Sequence, residues 1–250
     1  MSKPNDLHHL AISTANIKAQ IEFFSDVLGM ELVALYWMHG ADRCFHAFMK
    51  LHDTAYVAFV QTPDNHAIST TIGVTHASNP AASSAPGRCS TWRSTSTPKA
   101  ICALRGRIRS RSIQVLSPID HSACQSMYFA GPENLTLEIA TSAAAFDPRA
   151  WIDPEVVALA GISADELARY VDPPAHADRG SAVAQPPHDA SKPNMSAPAR
   201  IRALLSLPDE QVAQLMSQPE PPVRVAPARF PRRAGRAADR SPRPRPRGPA

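Results

Sequence analysis

Four residues that lie in or beside strand-like segments have side chains of the kind that can bind a metal or transfer a proton. His9 directly precedes an apolar run, and Glu138 alternates with apolar neighbours. Tyr128 stands ten residues before Glu138, and His121 lies in an Asp-His-Ser turn. Imidazole and carboxylate suit Fe(II) or Mn(II), and phenol or imidazole groups can move protons. Each residue is also typical of a solvent-facing strand or loop position. Whether it contributes to a site depends on how the surrounding strands and helices position it.

Composition predicts a cytoplasmic protein with a modest core. Of the 250 residues, 44% are hydrophobic, which is enough for one good core or two small ones. No apolar run approaches the ~18 residues of a membrane span, and the start lacks a secretory pattern. The cysteines show no CxxC spacing and are interpreted as reduced thiols (Cys44, Cys89, Cys102 and Cys124).

The basic charge belongs to the C-terminal tail. Residues 221–250 hold nine Arg and one Asp, a net of +8, whereas the whole chain is +4. Residues 1–220 therefore carry a net charge of −4. The charge gives no reason to predict a nucleic-acid-binding fold, and a small-molecule substrate is expected instead.

The region 6–62 predicts a β-α-β-β-β unit. Strand-like segments at 9–14, 31–38, 44–51 and 55–61 surround a helix whose apolar residues share one face (Ile17, Ile21, Phe24 and Leu28). Thr14 or Asn16 can cap this helix, and Gly29 occupies the usual position for its end.

The region 88–142 repeats most of this order after a linker at 63–87. A helix near 98–110 is followed by strand-like segments at 113–116, 126–129 and 135–141. A shift of about 84 residues superimposes Ile17 on Ile101, which suggests a pseudo-symmetric domain. The opening strand, expected at 88–97, is replaced by a polar segment without alternation.

The segments at 8–12, 23–33 and 128–141 resemble the vicinal oxygen chelate (VOC) superfamily of glyoxalases, bleomycin-resistance proteins and extradiol dioxygenases. The resemblance covers about residues 6–142 and implies an α+β fold of two βαβββ modules that form an incomplete barrel. It is closest to the extradiol branch, where two opening histidines and a glutamate bind Fe(II). It assigns His9 and Glu138 as metal ligands, whereas His8 is expected to point to the opposite face.

The resemblance also implies roles for two further residues. Tyr128 would hydrogen-bond the substrate, and His121 would act as an acid, base or hydrogen-bond donor. Both Tyr128 and Glu138 would share a sheet face if the turn between them keeps phase. A further catalytic histidine has only His46 and His76 as candidates.

The second metal histidine is missing near Ser90 and Thr91. With suitable codons for 87–97, one added base after Gly87 changes the reading to Gly-Thr-Met-Gln-His-Val-Ala-Leu-Asn-Val-Asp. His-Val-Ala-Leu is the strand that the repeat lacks. We therefore hypothesise a one-base deletion near Gly87, compensated near Thr97, so that the present sequence should bind metal poorly.

The sequence thus predicts an Fe(II) extradiol-type dioxygenase of a catechol-like or other vicinal-oxygen substrate, impaired in this copy. Mn(II) or another divalent metal is an alternative cofactor, and a homodimer is compatible with the resemblance. A metal-free ligand-binding protein of bleomycin-resistance type is a second interpretation. A glyoxalase-type lyase or isomerase is a third, disfavoured because the fourth-ligand region offers only Gln61.

The C-terminal third predicts a helical extension that is partly disordered. Short helices are expected at 143–170, with an Asp153 cap and a Ser163–Glu166 capping box. A linker at 171–199, a helix at 200–218 and a disordered basic tail at 219–250 complete the prediction.

Overall fold

The chain folds as two βαβββ modules, each with one four-stranded sheet and one helix. The computed structural model describes residues 4, 6–77, 83–86, 92–142, 146–175, 183–195 and 199–224. Module one comprises β1 (His9–Ser13), α1 (Ile17–Glu22, continued by a π-helical turn at Phe23–Val27), β2 (Glu31–Trp37), β3 (Phe45–Lys50) and β4 (Tyr56–Gln61). Module two comprises β5 (Trp92–Thr95), α2 (Pro98–Arg109), β6 (Leu116–Asp120), β7 (Cys124–Ala130) and β8 (Thr136–Ser142).

The two sheets have the same strand order, which confirms the predicted fold class. The orders are β1-β4-β3-β2 and β5-β8-β7-β6, with β1 parallel to β4 and β5 parallel to β8. Both sheets are open. In each module the helix covers one sheet face, and we call the opposite face the site face.

Local signals explain where α1 begins and ends. The Asn16 side chain accepts a hydrogen bond from the Ala19 amide at 3.0 Å and caps the helix. Gly29 follows the helical segment with φ +79°, a conformation that glycine adopts without a steric penalty. The predicted apolar face is buried at Ile17 and Phe24.

Most of the buried hydrophobic residues of both modules form a single core cluster. Phe24 is fully buried, with its ring centroid 4.9 Å from Phe59 in its own module and 5.7 Å from Trp92 in the other. Apolar packing therefore holds the two modules together, in addition to the chain segment that connects them.

Two of the expected strands differ from the prediction. The polar segment does form a strand, β5, because main-chain pairing with β8 needs no particular side chain and Trp92 buries an apolar ring. The strand predicted at 113–116 instead begins at Leu116, because Ile113 and Val115 pack against the core before pairing starts.

Polar contacts also join the modules. Arg111 makes a two-pronged ion pair with Asp26, with N–O distances of 2.6 and 2.8 Å. The Glu133 carboxylate accepts hydrogen bonds from the Thr14 hydroxyl at 2.6 Å and from Gln20 Nε2 at 2.9 Å. Thr14 and Gln20 are both buried, so Glu133 supplies the partner that a buried polar group requires.

The extension contains short helices and one segment that returns to module one. The helices are α3 (Pro148–Trp151), α4 (Pro154–Leu159), α5 (Ala164–Val171), α6 (Ala199–Leu204) and α7 (Asp209–Met216), so the helix predicted at 200–218 is two helices. Asp153 caps α4, and the Ser163–Glu166 box is present. Residues 225–250, most of the predicted disordered tail, lie outside the described residues. Within the described segments, no helix combines the length and apolar character of a membrane span.

Candidate functional site

The β7–β8 hairpin brings Tyr128 and Glu138 together. The two residues are direct cross-strand partners, so their side chains share one face of the sheet. Their apolar neighbours Met127, Leu137 and Ile139 are buried on the helix-covered face. Tyr128 and Glu138 therefore lie on the site face, and the turn between the strands keeps phase.

Glu138 is a buried carboxylate held in place by a hydroxyl. Only 1% of its surface is exposed, and Ser126 Oγ donates a hydrogen bond to its Oε1 at 2.6 Å. Ser126 is itself fully buried. Sequence reasoning missed Ser126, although its position two residues before Tyr128 on the same strand was the available signal.

His121 contacts Tyr128 directly. Its Nε2 lies 3.0 Å from the Tyr128 hydroxyl, and the imidazole is exposed. The site face of module two thus presents an imidazole–phenol pair beside a buried carboxylate. Such a pair can orient a substrate hydroxyl and exchange a proton with it.

His9 belongs to the other sheet. It begins β1 opposite Tyr56, is exposed, and its ring centroid lies 5.3 Å from that of Phe48. The expectation that His8 points to the sheet face opposite His9 is wrong, because the Nδ1 atoms of the two residues lie 2.9 Å apart. His8 precedes the strand, so strand alternation does not apply to it.

The registers of the two sheets identify equivalent positions. The hairpins before the last strand close in the same way in both modules, with the Leu51 amide bonded to the Ala55 carbonyl and the Gly131 amide bonded to the Leu135 carbonyl. Counted from these turns, the pair of Phe48 and Ala58 matches the pair of Tyr128 and Glu138, so Ala58 occupies the glutamate position of module one. Leu10 opposes Val57, and Trp92 opposes Leu137 in the same way. The residue before Trp92 is therefore the counterpart of His9. That residue, Thr91, and its neighbour Ser90 lie outside the described residues.

The two further histidine candidates have different environments. His46 is only 8% exposed, and its Nδ1 lies 3.1 Å from the Tyr36 hydroxyl. Burial, together with the nearby charge of His9, lowers the pKa of His46 below its ordinary value. His76 lies in the segment between the modules, where its Nδ1 contacts the Thr75 hydroxyl at 3.0 Å.

Gln61 has a structural role. Its Oε1 accepts a hydrogen bond from the Ile17 amide at 2.7 Å, which satisfies a free donor at the start of α1. A glyoxalase-type fourth ligand is thus not supplied by this residue. Across the described segments of the chain, no three His, Cys, Asp or Glu side chains converge as a metal site.

A separate cleft of about 380 Å³ lies at the edge strand β2, where the C-terminal segment returns. Arg224 lies over the Trp37 ring, 4.5 Å from its centroid. The residues that line the cleft come from both parts of the chain (Ile17, Leu35, Tyr36, Trp37, Phe45, Pro222, Val223 and Arg224).

A family model described as the Glyoxalase/Bleomycin resistance protein/Dioxygenase superfamily matches residues 6–139, more than half of the chain. The chain belongs to this superfamily. The match spans both modules and ends one residue after Glu138. Divalent metals are common in the superfamily, which contains both enzymes and proteins that are not enzymes.

Solved structures with this fold have low sequence identity to the VOC domain of this chain. A lactoylglutathione lyase from Agrobacterium tumefaciens is 18% identical, with a TM-score of 0.40 over 56% of this chain and 96% of that one. TnmS3, an antibiotic binding protein from Streptomyces sp. CB03234, is 12% identical, with a TM-score of 0.39 over 57% and 100%. No curated protein matches the sequence.

Proposed function

We propose that this chain derives from a ring-cleaving dioxygenase of extradiol type that used Fe(II) to act on a catechol-like or other vicinal-oxygen substrate. The observation that supports it best is the cross-strand pair of Tyr128 and Glu138, with His121 at 3.0 Å from the tyrosine hydroxyl. A carboxylate, a phenol and an imidazole on one site face are the groups such a site needs.

The donors in the present sequence do not complete an iron site. His9 and Glu138 supply one imidazole and one carboxylate, whereas the position equivalent to His9 in module two holds Thr91. A facial triad requires two imidazoles and a carboxylate, so Fe(II) or Mn(II) would remain largely hydrated. We therefore propose that this copy has lost metal-dependent activity.

The register supports the frameshift hypothesis. The restored reading frame puts its histidine at position 91, which is the counterpart of His9 deduced from the pairing of Leu10 and Trp92. It also puts valine and leucine at positions 92 and 94, opposite Leu137 and Ile139 on the helix-covered face.

The test compares three full-length proteins after iron loading under anaerobic conditions. One has the present sequence, one has 88–97 replaced by TMQHVALNVD, and a matched control has the same strand with glutamine at position 91. We expect iron binding and oxygen uptake on a catechol panel only in the histidine-containing version. A folded histidine-containing version that retains no more iron than the glutamine control contradicts the proposal. Sequencing the DNA across codons 85–100 determines whether the frame was lost.

A metal-free ligand-binding protein is the second candidate. It is favoured by the aromatic site face of module one, where Phe48 packs among His9, His46 and Tyr36. Tight binding of an aromatic ligand by all three proteins in the presence of a chelator, without oxygen uptake, supports this candidate instead.

A further inference from the structure

One row of residues across the site face of module one consists of three alanines and one phenylalanine. Strand register aligns Ala11, Ala58, Phe48 and Ala34 in one row across the sheet. The equivalent row of module two contains Glu138 and Tyr128. Module one therefore has neither the carboxylate nor the phenol at these positions, and its row offers a flat apolar surface.

Aromatic rings surround Phe48 on this face. The centroid of Phe48 lies 4.6 Å from that of His46, 5.3 Å from His9 and 6.0 Å from Tyr56. Tyr36 is nearly parallel to Phe48, with an interplanar angle of 9° at 6.2 Å. His9 is exposed, and Phe48, Tyr36 and Tyr56 are half-buried, so solvent reaches the cluster. Ring clusters of this kind favour planar partners through stacked and edge-to-face contacts.

His46 lies on the same face of the sheet, opposite Tyr36 in the strand register. More than nine-tenths of the residue is buried, and Nδ1 contacts the Tyr36 hydroxyl. Its other ring nitrogen, Nε2, is buried and has no hydrogen-bond partner among the described residues. A purely structural buried histidine usually has partners for both nitrogens.

The protonation of His46 defines what Nε2 can bind. Burial disfavours the charged form and lowers the pKa of His46 below its ordinary value, and the neutral form that this favours carries one proton. When the Tyr36 hydroxyl donates to Nδ1, that proton resides on Nε2. Nε2 is then a donor, and its complement is an oxygen acceptor such as a phenolate or carbonyl.

We infer that the site face of module one binds a planar aromatic ligand bearing an oxygen acceptor, stacked beside Phe48 and hydrogen-bonded to His46 Nε2. The inference rests on the proposed function, which puts the substrate on the site face. It narrows the class of ligand to planar aromatic molecules that carry an oxygen acceptor. Binding of this kind needs no metal.

The test uses 4-nitrocatechol, a planar phenolic probe whose visible absorbance reports its environment. The full-length chain is titrated in the presence of a chelator, beside His46→Phe and His46→Gln. His46→Phe keeps a ring but removes the donor, so we expect about tenfold weaker binding, the effect of one lost hydrogen bond. His46→Gln retains an N–H donor and should recover part of the affinity.

A matched control and a stability measurement make the result decisive. His52→Phe introduces the same side chain at an exposed turn residue and should leave affinity unchanged. Thermal melting identifies any variant that is unfolded, and His46→Gln then serves as the informative variant. Equal affinity of the parent and a folded His46→Phe, or no binding by the parent, overturns the inference. Iron retention in the strand-restored protein tests the proposed function separately, because it depends on position 91 and Glu138.

Discussion

The two modules have one backbone plan but different site faces. Where module two has Glu138 and Tyr128, module one has Ala58 and Phe48, at identical positions in the strand register. Main-chain hydrogen bonds define the shared plan, and site-face side chains are free to differ because they do not pack under the helix. Chemical specialisation of one module thus leaves the sheet intact.

The helix-covered faces differ in another way. In module one, Leu10 and Ile12 both pack against the core from β1. In module two, the equivalent positions of β5 are Trp92, which is buried, and Ser94, which is polar. The first strand of module two therefore lacks an apolar side chain at its second inward-facing position, and we expect this position to limit the stability of module two.

The largest expected effect comes from Phe24, which packs against residues of both modules. Phe24→Ala removes a fully buried ring and should lower the free energy of unfolding by about 3–5 kcal/mol. Urea denaturation followed by circular dichroism measures the change. Phe146→Ala, at a residue that is 65% exposed, is the control and should change stability little. Equal effects of the two substitutions would show that Phe24 does not join the modules.

A smaller effect, of opposite sign, should come from Ser94. Ser94→Leu adds an apolar side chain at the counterpart of Ile12 and should raise the free energy of unfolding by about 1–2 kcal/mol. Thr95→Leu, at an exposed residue of the site face, is the matched control and should bring no gain. If both substitutions stabilise equally, or neither does, the difference between β1 and β5 does not limit module two.

The smallest effect concerns the ion pair between Asp26 and Arg111. The Arg111 hydrogen bond, aided by the charges of Arg111 and Arg107, lowers the pKa of Asp26 below its ordinary value of 3.8. The folded state therefore favours the ionised carboxylate, and this stabilisation is present above pH 3.8 and lost as pH falls through the lowered pKa.

Asp26→Asn should consequently lower the melting temperature slightly at pH 7 and less at pH 3. Thermal melts at both pH values in low salt provide the measurement, with Asp42→Asn as an exposed control. Because both partners are exposed to solvent, added salt should reduce the difference at pH 7. A difference that is the same at pH 3 and pH 7 would contradict this role for Asp26.

Much of the architecture follows from local sequence signals. The apolar period of α1, the Asn16 cap and the Ser163–Glu166 box depend on residues within a few positions of each other. The β-α-β-β-β order of module one and the family resemblance were equally accessible, because alternation and helix period can be counted along the chain.

The remaining features depend on which strands, far apart in sequence, pair with each other and in which register. The pairing of Tyr128 with Glu138, the parallel pairing of β5 with β8, and the burial of His46 beside Tyr36 depend on which strands meet. Sequence patterns could name Glu138 and Tyr128, but not Ser126 as the hydroxyl that holds the carboxylate. The polar β5 segment lacks the side-chain alternation that is typical of a strand. It pairs with β8 through backbone hydrogen bonds, which a pattern of side chains does not reveal.

The sequence by itself determined the two-module plan, the caps and the residue types available for chemistry, because these depend on neighbours along the chain. Only the tertiary structure decided which of those residues share a face and which are buried. Those outcomes depend on contacts between segments far apart in sequence, such as Glu133 with Thr14 and Arg111 with Asp26.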